Sequence, residues 1–169
     1  MSVGSAALHK AIAATWTEYV HRHYKLYWPT QESYFSSLNE EEGAPGQPFP
    51  YCVFTISAGR VISRMSAGQP PDCIGRREIV DYPVRFTTHA RQWKDVLVNK
   101  SAKEIAAELV AHVMETFGGH PTEKAVDVAM DIGQILVIQY QTDFGAKTGD
   151  EEYSWAVDYI VRVDTPVAT

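Results

Sequence analysis

Metal-ligating and nucleophilic side chains are few in this sequence, which contains six histidines and two cysteines. His21 and His23 stand two residues apart, and two imidazoles can share a metal ion only when both point the same way. The pair ends a segment with a helical pattern, and residues two apart on a helix point to different sides. We therefore interpret the pair as a solvated helix end and expect neither a metal nor a cofactor.

Catalysis by a cysteine requires a thiolate, which forms most readily in an electropositive setting or at a helix N-terminus. Cys52 lies instead within an apolar run, so we interpret it as a buried structural thiol. Cys73 lies in a polar loop with no recognised signature around it. We therefore expect no enzyme. The alternative is a small cytosolic α+β enzyme whose site assembles from residues scattered in the sequence, around Cys73, His89 or His112.

A group of arginines forms the candidate interaction surface. Arg60, Arg64, Arg76 and Arg77 bracket one loop of the sequence. A basic patch of this kind can complement an acidic neighbouring protein. Simple solvation of four surface residues explains the same pattern, so both interpretations stay open.

Aromatic residues also suggest a covered surface, because nine Tyr and four Trp exceed what a small core needs. The densest cluster consists of Trp16, Tyr19, Tyr24, Tyr27, Trp28, Tyr34 and Phe35. Packing in the core explains these residues at least as well. In a dimeric adaptor module, the second alternative to an assembly protein, the cluster would form a two-fold interface.

Length and charge bound the class of protein. At 169 residues the chain fits a single domain spanning residues 1–169. Its net charge of −6 argues against wrapping of nucleic acid or of an anionic membrane, because either would need a clustered basic face. The first residues lack the layout of a secretory signal, and no apolar run is long enough to span a bilayer. We expect the chain to stay in the cytoplasm where it is made.

The elements that must position these side chains begin with a helix. Ser5 is a plausible N-cap for a helix that continues to about Tyr24, since apolar residues recur at every fourth position. Prolines, glycines and an acidic run predict a long loop over residues 25–50. The β-branched and aromatic run Tyr51–Ile56 predicts a strand, with Arg60–Ser66 as its hairpin partner.

A long strand and a second helix follow. Alternating apolar residues over Arg77–Ala90 predict a strand with one buried face. Pro83 within it suggests an edge strand or a bulge, because proline cannot donate to a ladder. Ser101 with Glu104 forms a capping box, and Gly118 supplies the stop, so a helix is predicted to end at Phe117.

The last part of the chain predicts two further strands. Ile135–Ile138 is so continuously apolar that we interpret it as a central strand with both faces covered. Residues 143–150 then read as a turn, and Tyr153–Val163 alternates most clearly of all. The fold class expected is α+β, with a mainly antiparallel sheet and both helices packed on one of its faces.

The order of these elements resembles the tail-terminator proteins of long-tailed bacteriophages, also called tail-completion or head-tail joining proteins. The likeness lies in the initial helix, the strand Pro50–Phe54 after a proline-rich loop, and the extended Asp81–Thr88. It continues through a glycine-ended helix like Ser101–Phe117 and closing strands like Ile135–Gln141 and Tyr153–Val163. The resemblance covers most of the chain from about Pro50 onward.

This resemblance implies a virion assembly protein. Such a protein forms a ring, usually hexameric, that caps the last ring of the tail tube and joins the tail to the head. The implied partners are copies of itself, the tail tube protein and the head-completion or connector protein. The implied location is the head-tail interface of the virion, and the host cytoplasm during assembly. A closed ring needs two different patches on each subunit, and we expect them in the Ser57–Gly75 region and the 25–50 loop.

Overall fold

The computed structural model of the protein describes residues 3–21, 38–39, 50–66, 76–94, 99–118 and 128–166. The helical elements are α1 (Val3–Thr15), which continues as a π-helical turn (Trp16–His21), and α2 (Ala102–Phe117). The strands are β1 (Leu38–Asn39), β2 (Tyr51–Ile56), β3 (Arg60–Ser66), β4 (Arg76–Arg91), β5 (Trp93–Lys94), β6 (Asn99–Lys100), β7 (Gln134–Gly149) and β8 (Glu152–Pro166). No described helix has the length and apolar character needed to cross a membrane.

The N-terminal helix begins earlier than the sequence predicts. Ser5 lies inside α1 rather than capping it. A Cβ added to the buried Gly4 would lie 2.9 Å from the Tyr82 hydroxyl, so the first turn already packs closely on the sheet. Leu8, Ile12 and Trp16 are buried on one side, as their spacing predicts. The remainder of the predicted helix, residues 22–24, lies outside the described residues.

The long strand β4 is the centre of one half of the sheet. Both β2 and β3 run antiparallel to it on the same side, β2 along Val84–His89 and β3 along Arg76–Asp81. The prediction that β3 is the hairpin partner of β2 is therefore wrong. The chain between β2 and β3 stays close to β4, so the two strands lie one after the other along it. Glycine at position 59 allows this close approach, because a Cβ there would lie 2.5 Å from the Val80 side chain.

Pro83 lies in this interior strand and not at a sheet edge. Its carbonyl oxygen accepts a 2.9 Å hydrogen bond from Ser57 N, at the break between β2 and β3. In an antiparallel strand the N and O of one residue point toward the same neighbouring strand. The N of Pro83 therefore also points to the break between β2 and β3, where its missing N–H costs no hydrogen bond of a ladder.

The C-terminal strands β7 and β8 form one long antiparallel hairpin with a turn at Asp150–Glu151. Two predictions fail here. Ile135–Ile138 belongs to β7, which pairs only with β8 and ends the path of the described sheet, so it is an edge strand and not a central one. Residues 143–149 continue β7 rather than turn. Glycine at position 145 leaves room for the Tyr153 side chain against this part of β7, because a Cβ at that position would lie 2.6 Å from the Tyr153 hydroxyl.

The second helix, α2, has the predicted capping residues at both ends. Ser101 Oγ accepts from Glu104 N at 3.2 Å, and the Glu104 carboxylate accepts from Ser101 N at 3.0 Å, which completes the capping box. Gly118 closes the helix with a φ of 107°, a region that favours glycine. The helix therefore ends at Phe117.

The sheet order is β1-β2-β4-β8-β7, with β3 on the same side of β4 as β2. All its pairings are antiparallel except that of β1, whose two residues lie parallel to β2 within the segment predicted to be a loop. Both helices contribute to the core on one face of the sheet. The protein is thus an α+β fold with a mainly antiparallel sheet, as predicted. We call the opposite side, which carries Asp81, Arg85, Asp158 and Arg162, the open face.

Candidate interaction surface

The four candidate arginines lie together at one end of the sheet, on β3 and the start of β4. Arg64 binds Glu78 at 3.0 Å, and Arg77 binds Asp164 at 3.0 Å. The backbone of Arg76 pairs with Ser66, and its side chain is not among those that the structure describes. Arg60 is exposed and contributes to lowering the pKa of Asp81. Because two of these charges are paired within the chain, the basic patch is weaker than the sequence suggests.

Cross-strand ion pairs follow β4 and β8 along the open face. Arg85 binds Asp158 through two hydrogen bonds of 2.7 and 2.9 Å. Arg162 binds Asp81 in the same two-point manner, at 2.8 and 3.0 Å. Each pair joins residues directly opposite one another in the ladder. Each positive side chain on one strand therefore lies opposite a negative one on the other. The charges of these pairs cancel on this part of the open face.

The hydrogen bonds also change the acidity of the paired groups. The guanidinium of Arg162 lowers the pKa of Asp81, chiefly by hydrogen bonding to its carboxylate. The carboxylates of Asp158 and Asp81 in turn raise the pKa values of Arg85 and Arg162. Both effects favour the charged forms. The pairs consequently stay ionised at neutral pH.

Large exposed apolar side chains are concentrated at the two edges of the sheet. Val61 and Ile62 on β3 are 40% and 46% exposed. Leu136 and Val137 on β7 are 45% and 48% exposed, and Phe144 further along the same strand is 50% exposed. Exposed apolar groups at strand edges favour contact with another chain. Sequence reasoning missed the β7 edge because it placed Ile135–Ile138 in the interior.

Two bulges carry part of this apolar surface. The register between β3 and β4 shifts between Val61 and Ser63, which leaves Ile62 as the extra residue. The register between β7 and β8 shifts between Ile135 and Val137, which leaves Leu136 as the extra residue. Bulges at sheet edges re-aim side chains. In both edge strands the additional residue is an exposed apolar one.

A partly buried polar cluster holds the hairpin of β7 and β8 together. Asp143 accepts a hydrogen bond from the Tyr140 hydroxyl and another from Trp155 Nε1, the latter at 2.8 Å. The bond to Asp143 raises the pKa of Tyr140. Burial raises the pKa of Tyr159, whose hydroxyl donates to the Gly118 carbonyl oxygen. These hydrogen bonds connect β7 to β8, and β8 to the end of α2.

The two described residues of the enzyme alternative, His89 and His112, lie on different elements. His112 lies on α2, 3.4 Å from the Glu115 carboxylate. His89 lies on the open face, where its Nδ1 is 2.8 Å from Ser154 Oγ and its ring stacks on Tyr51. Cys73, the third residue of that alternative, lies outside the described residues. The structure therefore pairs His89 with a serine that the sequence did not single out.

The other candidate chemistry is accounted for by packing. Cys52 is buried, and burial raises the pKa of its thiol well above the usual value, so it is a core residue as predicted. Within the described part of the chain, no three acidic, histidine or cysteine side chains lie close enough to hold a metal ion. His23 lies outside that part. Trp16 of the aromatic cluster is in the core against Phe86, whereas Tyr19 is exposed. The other members, residues 24–35, are not among the described residues.

Comparisons with known proteins give no family. No protein-family model matches the chain, and no curated protein matches it.

Proposed function

We propose that the protein is a structural assembly protein of a long-tailed bacteriophage, a tail terminator that caps the tail tube and joins the tail to the head. In this role it acts as a ring, usually hexameric in the family that it resembles. Its partners are further copies of itself, the tail tube protein and the head-completion or connector protein. It works at the head-tail interface of the virion, after assembly in the host cytoplasm.

The observation that carries this proposal is the position of the exposed apolar groups, at the two edge strands of one sheet. A ring subunit must offer two different surfaces, one to each neighbour. Strand edges serve this purpose because they add backbone hydrogen bonds to apolar contact. The resemblance in element order supplies the particular assembly, and the ion-paired open face supports a role in contact rather than catalysis.

The proposal is tested by following growth of the tail tube. Purified tail-tube subunits of the same virus are polymerised with increasing amounts of the protein and imaged by negative-stain electron microscopy. We expect tubes that stop growing and carry a ring at one end. Tubes of unchanged length and without end rings at every ratio would overturn the proposal.

A hydrolytic enzyme is the second candidate, favoured by the contact between His89 and Ser154. At 2.8 Å the imidazole could accept the hydroxyl proton of a serine nucleophile. Hydrolysis of p-nitrophenyl acetate by the wild-type protein, lost in Ser154→Ala and kept in Ser63→Ala, would support it. We expect no hydrolysis above buffer from any of the three, and the matched serine on β3 controls for loss of a surface hydroxyl.

A further inference from the structure

The two edge strands lie on opposite sides of the sheet and both lack a strand partner on the outside among the described residues. In β3 the exposed apolar residues are Val61 and Ile62, and in β7 they include Leu136 and Val137. Edge strands are usually blunted by charged side chains or proline. Here the bulges at these edges carry apolar side chains, which favours covering by another strand.

These apolar residues also stand at the same level of the sheet. Val61 pairs with Val80, Val80 pairs with Val163, and Val163 pairs with Ile135. The extra residues of the two bulges, Ile62 and Leu136, directly follow the two ends of this row. A second copy placed beside the first, without sliding along the strands, would therefore bring Val61 of one copy opposite Ile135 of the other. Because β3 and β7 run in opposite directions, Ile62 and Leu136 then lie on the two sides of this pair.

Strand direction is compatible with that placement. β3 runs antiparallel to β4, β4 to β8, and β8 to β7, so β3 and β7 run in opposite directions. A neighbouring copy related by rotation about an axis along the strands keeps its strand directions. Its β3 would then meet β7 of the first copy in antiparallel fashion, as in the rest of the sheet, and the pairing would be the slightly stronger kind.

We propose that β3 of one copy pairs with β7 of the next, with Val61 opposite Ile135 and the apolar bulge residues Ile62 and Leu136 on the two sides of this pair. The partner is a second copy of this chain, and the contact is head to tail rather than two-fold. This inference rests on the proposed ring function and deepens it, because it assigns the two subunit surfaces to particular strands. The reason for choosing a second copy is that each edge finds its match in the chain itself: antiparallel direction, equal level and apolar side chains.

Disulfide trapping tests the contact. In a Cys73→Ser background, Val61→Cys and Ile135→Cys are combined in one chain and oxidised. A bond within one chain is excluded, since β3 and β7 are three strand spacings apart, about 14 Å, and a disulfide needs Cα atoms within about 7 Å. We expect a ladder of covalent oligomers on a non-reducing gel. Either single variant should run as a monomer on this gel, and so should the control pair Val61→Cys with Phe144→Cys, which uses the far part of β7.

A mixing experiment tests the same contact without cross-linking. Ile62→Lys blocks only β3, and Val137→Lys blocks only β7, so each alone should lose its oligomers in light scattering. A mixture retains one intact pair of edges and should give dimers only. Ala111→Lys, on the exposed side of α2, adds the same charge and should leave the oligomers unchanged.

The outcomes separate this inference from the proposed function. Covalent dimers of Ile135→Cys alone would show a two-fold contact of β7 with β7 and overturn the inference. Oligomers that persist in both lysine variants, or a wild-type protein that is monomeric at high concentration, would also overturn it. A cross-linked ladder from a protein that does not arrest tube growth would keep the strand pairing and reject the tail-terminator function.

Discussion

Strands β7 and β8 belong to one hairpin and are both rich in apolar residues, yet they have opposite places in the molecule. β8 pairs on both sides, and its Val157, Tyr159 and Val163 are almost fully buried. Among the described residues β7 pairs on one side only, and Val137 on it is about half exposed. The difference shows that apolar composition alone does not place a strand in the interior. The number of strand partners and the cover on each face decide its burial.

The largest expected effect comes from truncating the same residue type in each strand. Val163→Ala removes buried methyl groups and should lower the free energy of unfolding by roughly 2 kcal/mol. Val137→Ala should change it by less than about 0.5 kcal/mol, as at other exposed sites. Urea denaturation of both variants measures the contrast. Equal losses would mean that β7 is as buried in solution as β8.

A smaller effect is expected from the open face of β8, where ion pairs connect it to β4. The folded-state pKa of Asp81 is below that of a free carboxyl, chiefly because Arg162 hydrogen-bonds its carboxylate. The stability that this carboxylate contributes is therefore present above the unfolded-state pKa and is lost as pH falls through the folded-state pKa.

Asp81→Asn should accordingly flatten the decline of stability in acid. The measurement is the urea midpoint of wild type and variant across acidic pH. Glu18→Gln removes an exposed carboxylate from the π-helical turn and serves as the control. An unchanged acid slope in Asp81→Asn would contradict the assigned role of the ion pair.

The smallest effect concerns a contact between the edge strand and the centre of the sheet. The guanidinium carbon of Arg85 lies 5.3 Å from the centre of the Phe144 ring. Phe144→Leu keeps an apolar side chain but loses this cation–π contact, so stability should fall by about 0.5 kcal/mol. The double variant with Arg85→Met completes a mutant cycle. A coupling energy of zero would leave Phe144 free to contact another chain.

Local signals predicted the elements that local physics specifies. The capping box of Ser101 and Glu104 and the stop at Gly118 involve residues adjacent in sequence, so the limits of α2 were correct. The alternation in Tyr153–Val163 likewise predicted a strand, because side chains of a strand point to opposite faces in turn. The predicted fold class followed from such elements and is confirmed.

The candidate site could be predicted only in part. The arginines do lie together, but their partners Glu78 and Asp164 come from strand pairing and were not foreseen. The contact of His89 with Ser154 joins residues 65 positions apart. Asp143 was read as part of a turn because its neighbours include glycine and polar residues. Its hydrogen bonds to Tyr140 and Trp155 arise only once the long hairpin has formed.

The sequence by itself determined most of the helix and strand segments and which face of most of them is apolar, because these properties depend on neighbours a few positions away. The exception is the second half of β7, which the sequence predicts as a turn. The tertiary structure decided that β2 and β3 share one side of β4, and that β7 is an edge. Those choices depend on close approach between distant segments, as where Gly59 lies against Val80. Strand partners are selected by such long-range packing, and no local pattern encodes it.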